Sequence, residues 1–355
     1  MGNRETHLAC AGRGLVLPRV SHPLVRAVAS RWRLLTSPTA DGRRGKGASL
    51  LVACSAGADS SALAIALRAA GAEMVLGHVM HDLRGRAAVE ADRDAALELA
   101  RRLGVECDIA EVSVRERAGN AEAEARRLRY GALARLAEAR GVRFIATAHH
   151  AHDQLETLLM TMLRGGGVSG MAGVRAVRRL GPGLHVIRPM LDGGPVEARE
   201  LCRDAGWVWR EDGTNADREG GGLRSALRAR VVPELLRLRP RGALGAVRTA
   251  AAVADAATAV ERAASELTGR VEIGATSAHG ERVRMFQRRG LRACGPHEVR
   301  LWVRQVAGAA KARQATRTQV EGAARVIRSA RGEEKNLQVG GVTMVVRGDV
   351  VEVRW

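Results

Sequence analysis

The stretch SLLVACSAGADSSALAIALRAA, Ser49 to Ala70, decides the fold class. Its first part, Ser49 to Ser55, is a short apolar run rich in branched residues, which suits a strand buried on both faces of a parallel sheet. Its last part, Ala62 to Ala70, has the alanine and leucine content of a helix. Between them lie Ser55, Ala56, Gly57, Ala58, Asp59 and Ser60. Small residues let backbone amides curl around an anion, serine hydroxyls donate to it, and a helix N-terminus adds partial positive charge. A strand that turns through such a loop straight into a helix opens an α/β unit with an anion site at its top.

Outward from that stretch the same alternation continues. EMVLGHVMH (Glu73 to His81), ECDIAEV (Glu106 to Val112), RFIATAHH (Arg143 to His150) and LHVIRPML (Leu184 to Leu191) read as four further strands. Helical stretches over Glu90 to Leu103, Ala121 to Ala139 and Asp153 to Arg164 separate them. This order predicts an α/β fold with a doubly wound parallel sheet, in which ligands bind outside the carboxyl ends of the strands. Beyond Gly220-Gly221-Gly222, a candidate hinge, the pattern turns helical over Leu223 to Leu238 and Ala243 to Leu267. Two more helices, Pro296 to Ala307 and Thr316 to Arg331, precede a hairpin of VTMVVR (Val342 to Arg347) and VVEVRW (Val350 to Trp355) around Gly348-Asp349. The expected division is a basic extension over 1–48 with a short amphipathic helix at 21–35, a nucleotide-binding domain over 49–219, a helical segment over 220–275, and a small α+β domain over 276–355.

The chain has 355 residues, 46% of them apolar, enough for two or three domains with real cores. Only Lys46, Lys311 and Lys335 among the 57 basic residues are lysines, and the net charge is +19. Arginine's planar fork pairs bidentately with phosphate, so a polyanionic partner is the first expectation. The charge is unevenly placed. Residues 49–222 carry 23 basic and 24 acidic side chains, whereas 1–48 carry 9 and 2, 223–300 carry 15 and 7, and 301–355 carry 10 and 5. A neutral centre between basic flanks reads as a site with an electrostatic footprint for nucleic acid around it. With aromatics at 2%, arginine contact to the backbone of a folded RNA is a better model than a stacking platform.

No apolar run reaches the ~18 residues a spanning helix needs, so no membrane is expected. Cys10, Cys54, Cys107, Cys202 and Cys294 are dispersed and include no Cys-x-x-Cys pair, which argues against a disulfide scaffold, a zinc ribbon or an iron–sulfur site. A reducing, cytoplasmic setting follows. The N-terminus lacks the apolar core of a signal peptide.

Ser55 to Ser60 lack the Gly-Lys-Ser/Thr ending of a Walker P-loop. They resemble the PP-loop of the N-type ATP pyrophosphatases, Ser-Gly-Gly-x-Asp-Ser, with Ala56 in place of the first glycine. Other segments narrow the resemblance. HVMHDLR (His78 to Arg84) is similar to His-Val-x-His-Gly-Leu-Arg, EARRLRY (Glu124 to Tyr130) to Ala-Arg-x-x-Arg-Tyr, and TAHHAHDQLETLLMTMLRG (Thr147 to Gly165) to Thr-x-His-His-x-Asp-Asp-Gln-x-Glu-Thr. RPML (Arg188 to Leu191), EDGTNAD (Glu211 to Asp217) and LRSALRARVVPEL (Leu223 to Leu235) follow in family order. Over about residues 49–240 the chain resembles the tRNA(Ile)-lysidine synthetase family.

The resemblance implies an ATP-dependent ligase. ATP adenylates the C2 oxygen of the wobble cytidine of an isoleucine tRNA with a CAU anticodon, and the amine of L-lysine then displaces AMP. It assigns ATP to Ser55, Ala56, Gly57, Ala58, Asp59, Ser60, His81, Arg126 and His149, with Mg²⁺ at Asp59. Asp59, Asp153 and Glu156 are the implied catalytic residues, and Arg224 and Arg228 the implied tRNA contacts. Asp153 and Glu156 lie three apart on a helix, a carboxylate pair suited to the ammonium of lysine and to the proton released on attack. Arg126 and Arg129 share a helix face in the same way. His149 and His150, consecutive on a strand, point opposite ways, one to the nucleotide and one into packing. A homodimer is the assembly to test. Four positions depart from the family pattern: Ala56, Asp82 for glycine, His152 for the first aspartate, and Ser225 for asparagine. The competing classes are another adenylating enzyme of this fold, such as a tRNA thiolase, a GMP synthetase or an NAD synthetase, and a non-catalytic RNA-binding relative.

Overall fold

Strand order decides which loops meet. In a computed structural model the described residues are 15–37, 47–82, 85–114, 121–211, 222–278, 281–309, 315–329 and 334–355. The chain forms two units, Met1–Val253 and Ala254–Trp355.

The first unit runs α1 (Pro23–Thr36), β1 (Leu50–Ala53), α2 (Ala58–Ala69), β2 (Met74–His81), α3 (Arg86–Leu103), β3 (Cys107–Val112), α4 (Ala121–Ala139), β4 (Phe144–Ala146), α5 (Ala151–Leu163), α6 (Val168–Met171), β5 (Val177–Gly181), β6 (Leu184–Ile187) and α7 (Pro195–Asp204). Then come α8 (Leu223–Ala226), a π-turn (Leu227–Val231), α9 (Val232–Leu238) and the start of α10 (Gly242–Val271). The six strands lie in the order β3-β2-β1-β4-β6-β5, parallel except for β5, which is antiparallel to β6. Alternating side chains feed two cores. Leu50 and Val52 pack with α1, α2, α3 and α7, while Leu51 packs with Tyr130, Leu133 and Ala137 of α4. β1 therefore lies at the centre of the sheet with helices on both faces, and its loop opens where the neighbouring strands also end.

Several boundaries differ from the sequence reading. The fourth strand stops at Ala146 and the sixth at Ile187. His149 and His150 therefore do not lie on a strand: Thr147 N makes the last cross-bond, to Ile187 O at 3.0 Å, and His150 already caps α5. The two histidines therefore do not alternate across a sheet. The sheet is not wholly parallel, because a tight Gly181-Pro182-Gly183 turn joins β5 to β6 as a hairpin, with Gly183 at φ 68°. The helix expected over 223–238 runs through with one widened π-turn, just before Pro233, which has no N–H for a regular helical bond. Gly242–Val271 is, by length and composition, apolar enough to cross a membrane, which corrects the expectation that no stretch reaches that length; alanine supplies most of its apolar character.

The second unit holds the end of α10, β7 (Glu272–Ala278), β8 (Glu281–Gln287), α11 (Arg288–Arg292), α12 (Pro296–Ala309), α13 (Arg317–Arg328), β9 (Lys335–Val339), β10 (Val342–Arg347) and β11 (Val350–Arg354). Its strands form an antiparallel sheet in the order β7-β8-β11-β10-β9. The hairpin expected from the sequence is β10–β11, and three further strands extend it. Phe286 meets Trp302 edge-on at 5.0 Å in the core between sheet and helices.

Candidate active site

The loop after β1 is tied down by its own polar groups. Cys54 N donates to Gly77 O at 3.0 Å, which carries the chain one residue past β1 along β2. Ser55 N donates to Ser60 Oγ at 3.1 Å, and Ser60 Oγ donates to Gly57 O at 3.1 Å. Gly57 caps α2 without a side-chain bond, so its first amides stay available to a ligand. Ala56 is fully buried at φ 62°, in the left-handed region that favours glycine, and its carbonyl accepts from Arg210 N at 3.0 Å. Asp59 lies in the first turn of α2, its side chain 41% exposed, with Oδ2 at 3.6 Å from His150 Nε2.

His150 joins that loop to α5. Its Nδ1 accepts from Asp153 N at 3.3 Å, and Asp153 Oδ2 accepts from His150 N at 3.0 Å, a reciprocal cap that leaves Nε2–H for Asp59. Burial pushes the His150 pKa down, but Asp59, Asp153 and Glu156 outweigh it and the net shift is upward. Burial pushes the Asp153 carboxyl up; His150, His149, the backbone N–H and Arg224 outweigh that and hold it below its usual value.

Asp153 and Glu156 share one face of α5, and both are buried. Across from them stand Arg224 of α8 and Arg228 of the π-turn. Arg224 Nη2 donates to Asp153 at 2.8 Å and its Nε to Glu156 at 2.9 Å. Arg228 Nε donates to Glu156 Oε1 at 2.6 Å, and its Nη2 to Glu156 Oε2 at 2.9 Å and to Asp153 at 3.3 Å. The residues assigned from sequence to lysine and those assigned to tRNA thus form one cluster of two carboxylates and two guanidinium groups. Arg224 precedes the π-turn and Arg228 lies within it.

A second group lies towards the β5 edge. Tyr130 of α4 is buried, and three guanidinium groups flank its ring: Arg178 of β5 at 4.4 Å, Arg126 at 5.2 Å and Arg129 at 5.7 Å. Arg188, just past β6, is buried nearby and donates through Nη1 to Arg175 O. His149 faces this side. Its Nδ1 lies 3.0 Å from Thr147 Oγ1, and its pKa is pushed down by burial first and then by Arg188, with Asp153 opposing.

The remaining sites place as follows. His81 ends β2, and the carboxylate of Asp82 accepts from Ser113 Oγ at 2.6 Å and Val114 N at 2.7 Å, so the residue that stands for glycine bonds the exits of β2 and β3 together. His152 is half-buried and meets His150 edge-on at 5.6 Å. Ser225 is exposed on α8. Arg84, residues 212–217 of the acidic segment, and Gly220 and Gly221 of the candidate hinge lie outside the described residues. Sequence reasoning overlooked the bridging place of His150, although His-x-x-Asp has the spacing of a reciprocal cap, and missed Arg178, which sits on a strand that no periodicity announced. Among the described residues no group of three His, Cys, Asp and Glu side chains could hold a metal ion.

An anion loop at the centre of a doubly wound sheet, with charged clusters at the neighbouring strand ends, defines a nucleotide-binding α/β protein. The sequence model of the PP-loop domain matches residues 31–235, more than half of the chain, and the chain belongs to that family. A tRNA(Ile)-lysidine synthase of Symbiobacterium thermophilum is 40% identical over 193 residues, covering 52% of this chain and 39% of that protein. The tRNA(Ile)-lysidine synthase of Deinococcus radiodurans is 38% identical over 229 residues, 62% of this chain and 37% of that one. That of Salinispora tropica is 38% identical over 233 residues, 62% of this chain and 67% of that one. The match therefore spans about two fifths of the first two relatives and two thirds of the third.

Proposed function

We propose that the chain uses ATP to adenylate the C2 oxygen of the wobble cytidine in an isoleucine tRNA with a CAU anticodon, and then joins L-lysine to that carbon. The observation that carries this reading is a continuous polar path within one unit, from Asp59 through His150 to Asp153 and Glu156. It links an anion loop suited to pyrophosphate with a carboxylate pair suited to an ammonium group. The names of the relatives, tRNA(Ile)-lysidine synthase, support the same reading.

In the first step the C2 oxygen attacks the α-phosphorus, an oxygen–phosphorus bond forms, and pyrophosphate leaves into the Ser55–Ser60 loop. Free amides at the start of α2 take up the charge that develops on the leaving group. Mg²⁺ is commonly held by one or two carboxylates together with substrate phosphates, and Asp59 presents one half-exposed carboxylate at the mouth of the loop, so it fits as the protein ligand. The ion would supply neutralisation of phosphate charge.

In the second step the ε-amine of lysine attacks C2, a carbon–nitrogen bond forms, and AMP departs with the electron pair of the broken carbon–oxygen bond. Asp153 and Glu156 orient the ammonium substrate, and one of them accepts the proton that the attack releases. Arg224 and Arg228 hold these carboxylates in the free chain. Phosphates of the RNA compete for the same guanidinium forks, and each arginine drawn to RNA leaves a carboxylate to lysine.

The test is incubation with the tRNA, ATP and labelled lysine, with incorporation expected. Asp59→Ala is expected to lower incorporation by at least about a hundredfold and to change tRNA affinity by less than about twofold. Pyrophosphate release without lysine uptake would mean another adenylating reaction of this fold, and tRNA binding alone a non-catalytic role.

A further inference from the structure

We propose that Arg178, with Arg129 and Arg188 around Tyr130 and beside the Arg126 that the resemblance assigns to ATP, forms a second phosphate site that takes a backbone phosphodiester of the RNA substrate. The inference rests on the tRNA reading above and adds to it a docking point on the nearly neutral catalytic unit itself.

The cluster is costly without an anion. Like charges held within a few ångströms repel, and among the described residues no carboxylate pairs with any of the four arginines. Their neighbours are treated differently: Arg127, beside Arg126, forms two bonds to Glu124 at 2.5 and 2.8 Å, and Arg140 at the end of α4 pairs with Asp108. The ring of Tyr130 gathers the forks through its face, which offsets part of the repulsion. Two donors within the cluster are also unspent. Tyr130 Oη and Arg188 Nε are both buried without a hydrogen-bond partner, in residues 4% and 2% exposed. Native interiors rarely leave such groups unused.

Position selects the source of the phosphate. Because β5 runs antiparallel, its first residues stand at the end of the sheet where the parallel strands finish: Val177 is paired with Ile187, the last residue of β6. Arg178 therefore shares the open end of the sheet with the PP-loop, but β4 and β6 intervene between β1 and β5, a lateral offset of about 14 Å at normal strand spacing. Phosphates seated in the Ser55–Ser60 loop do not reach across that offset to Arg178. Arg126, Arg129 and Arg178 are exposed, so the platform is open enough for a polymer. The ring face is already covered by guanidinium groups, which leaves it to backbone phosphate rather than to a stacked base. The near-neutral sum over 49–222 hid this patch because the acidic residues of that span are spent in pairs elsewhere.

Arg178→Gln tests the site, since Arg178 is exposed on an edge strand and takes no part in the steps above. With a transcript of the tRNA, the slope of log affinity against log salt is expected to fall by about one, and affinity near 0.1 M salt to fall about five- to tenfold, with the KM for ATP unchanged. Arg178→Lys keeps the charge and is expected to restore the slope. An unchanged slope in Arg178→Gln overturns the site. A raised KM for ATP overturns its assignment to RNA, and a lysine variant as weak as the glutamine one reduces Arg178 to a packing role. If the unaltered chain binds no tRNA, both this site and the proposed reaction fall; if it binds and modifies tRNA while Arg178→Gln is silent, only this site falls.

Discussion

Among the described residues each unit of the chain buries one arginine, and the two are used in opposite ways. Arg288, 3% exposed in the second unit, spends its fork on backbone carbonyls and the Ser329 hydroxyl. Its Nε donates to Ile327 O at 2.9 Å, Nη1 to Gly348 O at 2.9 Å, and Nη2 to Val326 O at 3.0 Å and Ser329 O at 2.9 Å. It staples the end of α13 and the β10–β11 turn to the start of α11. Arg188, 2% exposed in the first unit, has one carbonyl partner, an unpaired Nε and a neighbourhood of like charge. Burial and then Arg178 and Arg126 push its pKa down, with Tyr130 opposing. A saturated buried guanidinium holds a fold together, whereas an unsaturated one is poised for a ligand.

Removing each fork should separate the two uses. Arg288→Met strands several carbonyls at once and is expected to destabilise the second unit by about 3–5 kcal/mol, read from urea unfolding. Arg188→Met removes one carbonyl partner but also a repelled charge, and should cost under about 1 kcal/mol. An equal cost for the two would break the comparison. Asp153→Asn comes next in size and probes the paired arginines between these extremes. The Oδ1 of asparagine can still accept from His150 N, so the change isolates the charge facing Arg224 and Arg228. The Asp153 carboxyl is held below its usual 3.8, so its contribution is present above that value and is lost as pH falls through the lower, folded one. The variant should therefore be about 1–2 kcal/mol less stable at neutral pH, and the two unfolding curves should converge in acid. A gap that widens in acid would reverse the sign assigned to this carboxylate.

The sheet was legible because burial on both faces leaves a sequence mark: Leu50, Leu51 and Val52 form an apolar run, and Ser55 to Ser60 follow it with small residues in place of branched ones. β5 left no such mark. Val177, Arg178 and Arg179 are exposed at the sheet edge, so no apolar alternation betrays them. The carboxylates of the site were legible from their helical spacing on α5, but their partners were not, because Arg224 and Arg228 are about 70 residues distant and meet them only through tertiary packing. Charge summed along the chain found the basic flanks and missed the arginine cluster, since a sum over residues cannot see which charges are already paired.

The smallest effect is expected at the loop itself. Among the described residues Ala56 is the one non-glycine at positive φ, and the positive-φ positions of the second unit, Gly340 and Gly348, are glycines. Ala56→Gly relieves about 1–2 kcal/mol of left-handed strain. It also gives up about 0.8 kcal/mol for a buried methylene-sized group and about 0.4–1 kcal/mol of unfolded-state freedom. These terms nearly cancel, so global stability should shift by less than about 1 kcal/mol in either direction. Anion affinity has no such offset, because glycine lets the left-handed turn at this position adjust around the phosphate, and inhibition by added pyrophosphate should tighten about two- to fivefold. A stability gain above about 2 kcal/mol with unchanged pyrophosphate inhibition would place the strain of Ala56 in the fold rather than at the ligand.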